Sequence, residues 1–248
     1  MSRSDAATTL DELAARIESC DRCPELRAYC AQIAIEKKRA HRDETYWGRP
    51  VAGFGDPYAR VLLVGLAPGA HGSNRTGRMF TGDASGVWLY RALHRAGFAN
   101  QPEQRDRNDG MVLHDTFITA ALRCAPPGNM PTPEQREHCF PYLVDEMRAL
   151  DDLRVVVGLG AIGTTAARGA LIAGGYRFEA RHAFGHGAES TATHETAASL
   201  TLLSSYHPSR QNTNTGVLTE AMLDAIFTRA RDLTGQGQLK PSSNPSPS

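Results

Sequence analysis

The chain has 248 residues, 41% of them hydrophobic, with 27 Lys and Arg against 27 Asp and Glu. That size supports one substantial core, and the balanced charge argues against a protein that coats nucleic acid indiscriminately, although a few well-placed cations suffice for phosphate contacts. No apolar run approaches the roughly 20 residues that cross a bilayer, and the first ten residues lack a signal peptide's apolar segment, so a cytoplasmic protein is expected.

Leu10, Leu13 and Ile17 have helical spacing over residues 9–20, and Pro24 suits the first turn of a second helix running to about Arg39. The basic run Glu36–Arg42 reads either as a solvated helix face or as a phosphate-facing patch. Residues 47–57, WGRPVAGFGDP, are turn-rich. Strands are predicted at 60–64, 116–122, 154–158 and 200–205, with helices at about 86–96, 133–149, 161–172 and 217–233. This alternation predicts a single three-layer α/β domain over residues 1–234, with a mainly parallel four-stranded sheet covered by helices on both faces. Residues 235–248, rich in Gly, Pro and Ser, cannot bury a core and are expected to form a disordered tail.

The most informative stretch is GLAPGAHGSNRTGRMFTGDASG, residues 65–86, which follows a strand and opens a helix. An α/β domain builds its ligand site there, at the carboxyl end of a strand beside a helix N-terminus. Phe80 and Asp83 put an aromatic face and a carboxylate three residues apart; a core ring and an N-cap are the competing roles. Gly65, Ala67 and His71 line the first loop, in which His71 is the sole titratable group. Arg75 and Arg78 are candidate phosphate contacts, with Ser85 and Gly86 offering backbone N–H groups at the helix start. His207 directly follows the last predicted strand and heads HPSRQNTNTG.

Five cysteines in a chain with no export signal speak against a disulfide framework. Cys20 and Cys23 form a CxxC pair, while Cys124 and Cys139 have 14 residues between them and are too wide for a second zinc knuckle; Cys30 is left over. Buried thiols with a lone redox CxxC are one reading. The other is a four-thiolate metal site, for which spacing alone does not separate zinc from an iron–sulfur cluster.

The 65–86 block, the cysteines and the histidine loop together resemble the uracil-DNA glycosylase superfamily, and within it the iron–sulfur-containing family 5 (B-type) enzymes. The resemblance spans most of residues 20–233. It implies a [4Fe–4S] cluster on Cys20, Cys23, Cys124 and Cys139, and DNA containing uracil or other deaminated bases as the substrate of a monomeric repair enzyme. Phe80 then stacks on the flipped base, Asp83 directs water to the sugar, and His207 hydrogen-bonds the departing base. Cys124–Glu134, CAPPGNMPTPE, resembles the family's CxPPxN…PTPEE stretch and makes Asn129 a candidate for orienting water or substrate. Ala120 stands where family 4 relatives place a uracil-reading asparagine, which implies a pocket that also accepts bases such as hypoxanthine. Ser209, Arg210 and Gln211 match the loop that enters the minor groove; relatives usually carry Pro and Leu at the last two positions, so an apolar wedge is missing. The expected product is an abasic site without strand cleavage.

A rival reading exists. GLGAIG, residues 158–163, follows a strand and opens a helix, with Glu179 about twenty residues further on, as in dinucleotide-binding folds. On that pattern alone the chain is an iron–sulfur NAD- or flavin-dependent oxidoreductase; in the glycosylase reading the glycines serve strand-to-helix packing. Residues 175–198, with His182, His186 and His194 at irregular spacing, read as a variable surface segment.

Overall fold

The computed structural model describes residues 3–235; the expected tail from 236 onward lies outside the described residues. Seven strands form one sheet: β1 (Phe54–Gly55), β2 (Val61–Gly65), β3 (Thr116–Ala120), β4 (Val155–Leu159), β5 (Arg177–Phe178), β6 (Glu189–Thr193) and β7 (Leu200–Ser205). Their spatial order is β1-β3-β2-β4-β7-β6-β5. The four central strands are parallel, pairing for example Gly65 with Ala120 and Val157 with Leu203. They match the predicted four. The sheet is nevertheless larger than expected, because β1 and the β6–β5 pair add antiparallel strands at its two edges.

The helices are α1 (Arg3–Glu18), α2 (Pro24–Glu36), the single turn α3 (Ser73–Thr76), α4 (Ala84–Arg95), α5 (Pro133–Ala149), α6 (Gly160–Ala173), the short α7 (Arg210–Asn214) and α8 (Glu220–Leu233). Successive strand residues point to opposite faces, and the two cores divide on that rule. Val61, Leu63, Val155 and Val157 pack with Leu89 and Leu93 of α4 and with Leu223 and Phe227 of α8. Leu62, Val64 and Val156 pack on the other face with Leu13 of α1, Leu143 and Met147 of α5, and Leu171 of α6. A third cluster at the sheet's carboxyl edge joins Leu26 and Cys30 of α2 to Ala121, Leu122 and Cys124 beyond β3. Among the described residues no helix is long and apolar enough to cross a membrane.

The helix boundaries follow local chemistry. Thr132 and Gln135 form a reciprocal capping box at the start of α5, and Thr219 caps α8. Helix α2 stops at Glu36, short of the expected Arg39, because Lys37 adopts φ 53. The basic run therefore turns through a 3₁₀ segment, Arg39–His41, instead of extending a helical face.

The glycines of GLGAIG serve packing. A Cβ on Gly163 would stand 2.3 Å from the Val64 carbonyl oxygen, so α6 lies directly on β2 only because the position is bare. In a dinucleotide fold the strand after that helix joins the parallel sheet. Here the next strand is β5, two residues long, antiparallel and at the far edge, with Glu179 just beyond it. The 175–198 segment is likewise more than a surface loop. It supplies β5 and β6, and it buries His182, whose Nδ1 and Nε2 hydrogen-bond the hydroxyls of Ser190 and Ser204.

Candidate active site

The site is built at the carboxyl edge, where β2 and β3 end at Gly65 and Ala120. Beyond β2 the chain loops through Ala67 and His71, makes the turn α3, and reaches Phe80 in left-handed backbone, φ 53. A non-glycine residue in that region costs conformational energy and is held only by surrounding contacts. Those contacts are on either side of it. Thr76 Oγ1 donates to the Thr81 carbonyl at 3.0 Å, Thr81 Oγ1 donates to the Met79 carbonyl at 3.2 Å, and the buried Tyr90 hydroxyl donates to the same carbonyl at 2.9 Å.

That backbone turns the Phe80 ring onto Gly65: a Cβ there would stand 2.7 Å from Phe80 Cε2 and Cζ. The ring is also stacked beside His207, with centroids 5.8 Å apart and planes 30° from parallel. His207 leaves the end of β7, and Asn212 Nδ2 donates to its carbonyl at 2.9 Å. Burial pushes its pKa below the ordinary 6.5, with the Asp83 carboxylate opposing that shift. His207 is therefore neutral near pH 7 and lies within the electrostatic reach of Asp83.

Asp83 is the N-cap of α4. Its Oδ1 accepts the Gly86 N–H at 3.0 Å. Its Oδ2 faces the first loop: a Cβ on Gly72 would stand 2.4 Å from it, and one on Gly69 3.0 Å. Both glycines thus make room for the carboxylate, a role the sequence reading did not assign. The cap uses Oδ1 and leaves Oδ2 facing the first loop. An open groove beside it is lined by Gln104, Arg105 and Arg210, with Glu44 and Asp106 contributing negative charge.

Several expected site residues have other employment. Arg78 is 3% exposed, and its guanidinium makes two 2.7 Å bonds to the fully buried Asp109 carboxylate. Arg75 is 9% exposed; it donates to the His71 and Gly82 carbonyls at 2.9 Å and pairs with Glu44. Both hold the 71–82 loop together and are not free for phosphate. The partners stand 31 residues away in either direction, so no local pattern flags them. The Gly86 N–H is occupied by Asp83, and a Cβ on Gly86 would meet the Phe80 carbonyl oxygen at 1.7 Å. Ser85 remains half-buried in the first turn. His71 Nδ1 lies 3.1 Å from the Tyr46 hydroxyl, and burial lowers its pKa, with Lys38, His41 and Arg75 adding to the effect.

Ala120 is buried at the floor, level with Gly65, while Ala67 packs toward the cysteine cluster. Asn129 is exposed, in left-handed backbone with φ 57. The loop after His207 is a short helix: Ser209 caps it by accepting the Asn212 N–H at 3.3 Å, and Arg210 and Gln211 are exposed in its first turn.

Cys20, Cys23, Cys124 and Cys139 line one small cavity with Arg22, Arg27, Arg123 and His138. They come from the end of α1, the start of α2, the chain beyond β3, and α5. Cys30 is fully buried and points to the Ala125 carbonyl at 3.8 Å. Burial pushes Cys23 up to about 11, with the neighbouring Cys139 and Cys20 adding to the shift. Among the described residues no three His, Cys, Asp or Glu converge on a point that would hold a single ion. Burial pushes the Cys139 thiol up, and the neighbouring Arg123 backbone and charge oppose that shift. Arg123 Nε is buried and unpaired among the described residues, while its Nη2 bonds Glu146 at 2.6 Å.

Comparison with known proteins agrees with this architecture. A family model described as the uracil DNA glycosylase superfamily matches residues 52–231. A type-5 uracil-DNA glycosylase of Mycobacterium tuberculosis is 48% identical over 230 residues, covering 92% of this chain and 83% of that protein. The type-5 uracil-DNA glycosylase of Thermus thermophilus is 48% identical over 219 residues, covering 88% and 95%. That of Mycobacterium leprae is 46% identical over 233 residues, covering 94% and 99%. The chain belongs to the uracil-DNA glycosylase superfamily.

Proposed function

We propose that the protein is a monofunctional DNA glycosylase that excises uracil, and other deaminated bases such as hypoxanthine, leaving an abasic site for base excision repair. The reading rests chiefly on one juxtaposition: a carboxylate, a neutral imidazole and an aromatic ring gathered at the carboxyl edge of the sheet. The base leaves the stack before its bond breaks. Phe80 is the platform for it. The neutral His207 donates a hydrogen bond to the oxygen on which negative charge develops, where a preorganised donor is most effective. Asp83 Oδ2, left free by the cap, orients water toward the sugar as it gains positive charge. Asn129, an exposed side chain, helps orient the water or the substrate.

Ala120 supports the broad base range, because its methyl group makes no hydrogen bond that a purine would fail to satisfy. Arg210 and Gln211, exposed beside the Asp83 groove, take the place of an apolar wedge, Arg210 by stacking its guanidinium plane or binding phosphate. The four thiols fit a [4Fe–4S] cluster. They share one cavity, and Arg22 and Arg27 in its lining offset an anionic group. Such a cluster, bound by Cys20, Cys23, Cys124 and Cys139, ties the α1–α2 segment to α5 and the end of β3. The enzyme works as a cytoplasmic monomer on DNA.

The test is an end-labelled duplex with one uracil, incubated with purified protein and resolved with and without alkali. Strand cleavage at the uracil only after alkali is expected. No cleavage by protein carrying its iron would overturn the reading, and a parallel hypoxanthine duplex decides the substrate range.

A further inference from the structure

The segment between α4 and β3 reaches the backbone on either side of Asp83 through Gln104. Gln104 Oε1 accepts the Gly82 N–H at 2.5 Å, and Gln104 Nε2 donates to the Asp83 carbonyl at 3.5 Å. Both bonds fall on the peptide units that set where Asp83 leaves the loop and enters α4. Gly82 itself has φ 89, a conformation with little intrinsic preference to hold its neighbour in place.

Gln104 is in turn held by a strap without regular structure but with firm anchors. A bridge between Ala99 and Leu113 closes its base. Within it, Asn100 Nδ2 donates to the Gly110 carbonyl at 2.9 Å, and its Oδ1 accepts the Val112 N–H at 2.8 Å. Asp109 accepts the Arg105 and Met111 N–H groups at 2.7 and 3.0 Å, while its carboxylate grips Arg78 of the Asp83 loop. Arg107 lies 4.2 Å over the Trp47 ring and 3.8 Å from Glu18. The strap is thus pinned to the loop it serves, to residue 47 and to the end of α1. A side chain on such a support can fix a neighbour within the tolerance that catalysis needs.

We propose that Gln104 is a positioning residue for Asp83, acting on the Gly82–Asp83 backbone to aim the free Oδ2. This rests on the reading of Asp83 as the water-orienting group. A small misplacement of a reacting group costs orders of magnitude in rate, so Q104A should slow single-turnover uracil excision by about ten- to a hundredfold. Duplex affinity should change by less than about twofold, because no phosphate contact is lost. The decisive comparison is the double variant. If Gln104 acts through Asp83, Q104A/D83N is no slower than D83N alone.

Q104E covers the case in which Q104A does not fold. It keeps the acceptor for Gly82, loses the donor to Asp83 and brings a negative charge close by, so the acid limb of its excision-rate profile should move to higher pH. Wild-type excision by Q104A overturns the proposal, as does a loss confined to DNA affinity, a fully additive double variant, or a Q104E profile that superposes on the wild type. D83N retaining wild-type activity sinks the Asp83 reading itself, which separates the two failures.

Discussion

The Phe80 ring lies against Gly65 through its Cε2–Cζ edge and is stacked beside the His207 imidazole, its centroid 5.8 Å from that of His207. One ring thus links the ends of β2 and β7, and its orientation depends on a bare α-carbon and on a left-handed backbone. G65A should displace it. Its Cβ would meet the ring at 2.7 Å, and overpacking of this kind costs about 1–3 kcal/mol. The expected outcome is a modest fall in Tm with a much larger fall in excision rate, checked by thermal unfolding and single-turnover assay of the same sample.

Capping and chemistry can be separated at Asp83. D83A removes the acceptor of the Gly86 N–H and should lose about 1 kcal/mol. D83N keeps a capping oxygen and should unfold close to the wild type, yet lack the carboxylate. Both variants should excise uracil slowly while only D83A melts earlier. If D83N is as active as the wild type, the side chain serves the cap alone and its charge takes no part in the chemistry.

The central sheet was legible in the sequence because buried parallel strands are continuous apolar runs. Residues 61–65 and 155–159 read that way, and the three leucines of LTLLSS marked the strand at 200–205. β6 did not, because ESTAT buries only Ala192 and its polarity hides a strand. β1 and β5, two residues each, offer no period at all. The same contrast holds in the site. Asp83 and His207 stood out as candidates because each sits at the junction of a strand or loop with a helix. Gln104 did not, because its contacts beside Asp83 exist only after residues 100–112 fold back.

Acid should destabilise the protein through four histidines that folding takes partly or fully out of water. Burial lowers the folded-state pKa of His71, His182, His186 and His207 below the ordinary 6.5. The unfolded chain therefore binds protons first as pH falls. These groups leave stability unaffected above about pH 6.5 and reduce it progressively below that value, until their folded pKa values are passed. Tm should be flat from pH 8 to about 7 and fall toward pH 5. In H207Q, which cannot titrate at this position, the fall should be shallower; an unchanged slope would show that His207 is not the desolvated group described.

Cysteine substitutions should divide four to one. C20S, C23S, C124S and C139S each remove a thiol from the shared cavity, and each should lower the iron-to-protein ratio and the visible absorbance. C30A should retain about four irons per chain, because Cys30 faces the Ala125 carbonyl. Loss of iron in C30A would place that thiol in the ligand set and call for a different assignment of the fourth sulfur.

Arg78 and Arg210 should behave in opposite ways. R78A leaves the Asp109 carboxylate buried with only backbone N–H partners, and breaking a buried pair from one side costs about 3–5 kcal/mol. Its Tm should fall steeply. Any folded R78A should bind duplex DNA with an unchanged salt dependence, because the guanidinium never faced solvent. R210A removes an exposed cation beside the Asp83 groove and should leave Tm unaltered. If Arg210 binds phosphate, the slope of log affinity against log salt falls by about 1 in R210A. If it fills the space of the flipped base, the slope is unchanged and the excision rate drops. A salt slope that changes in R78A instead would return that arginine to the DNA interface.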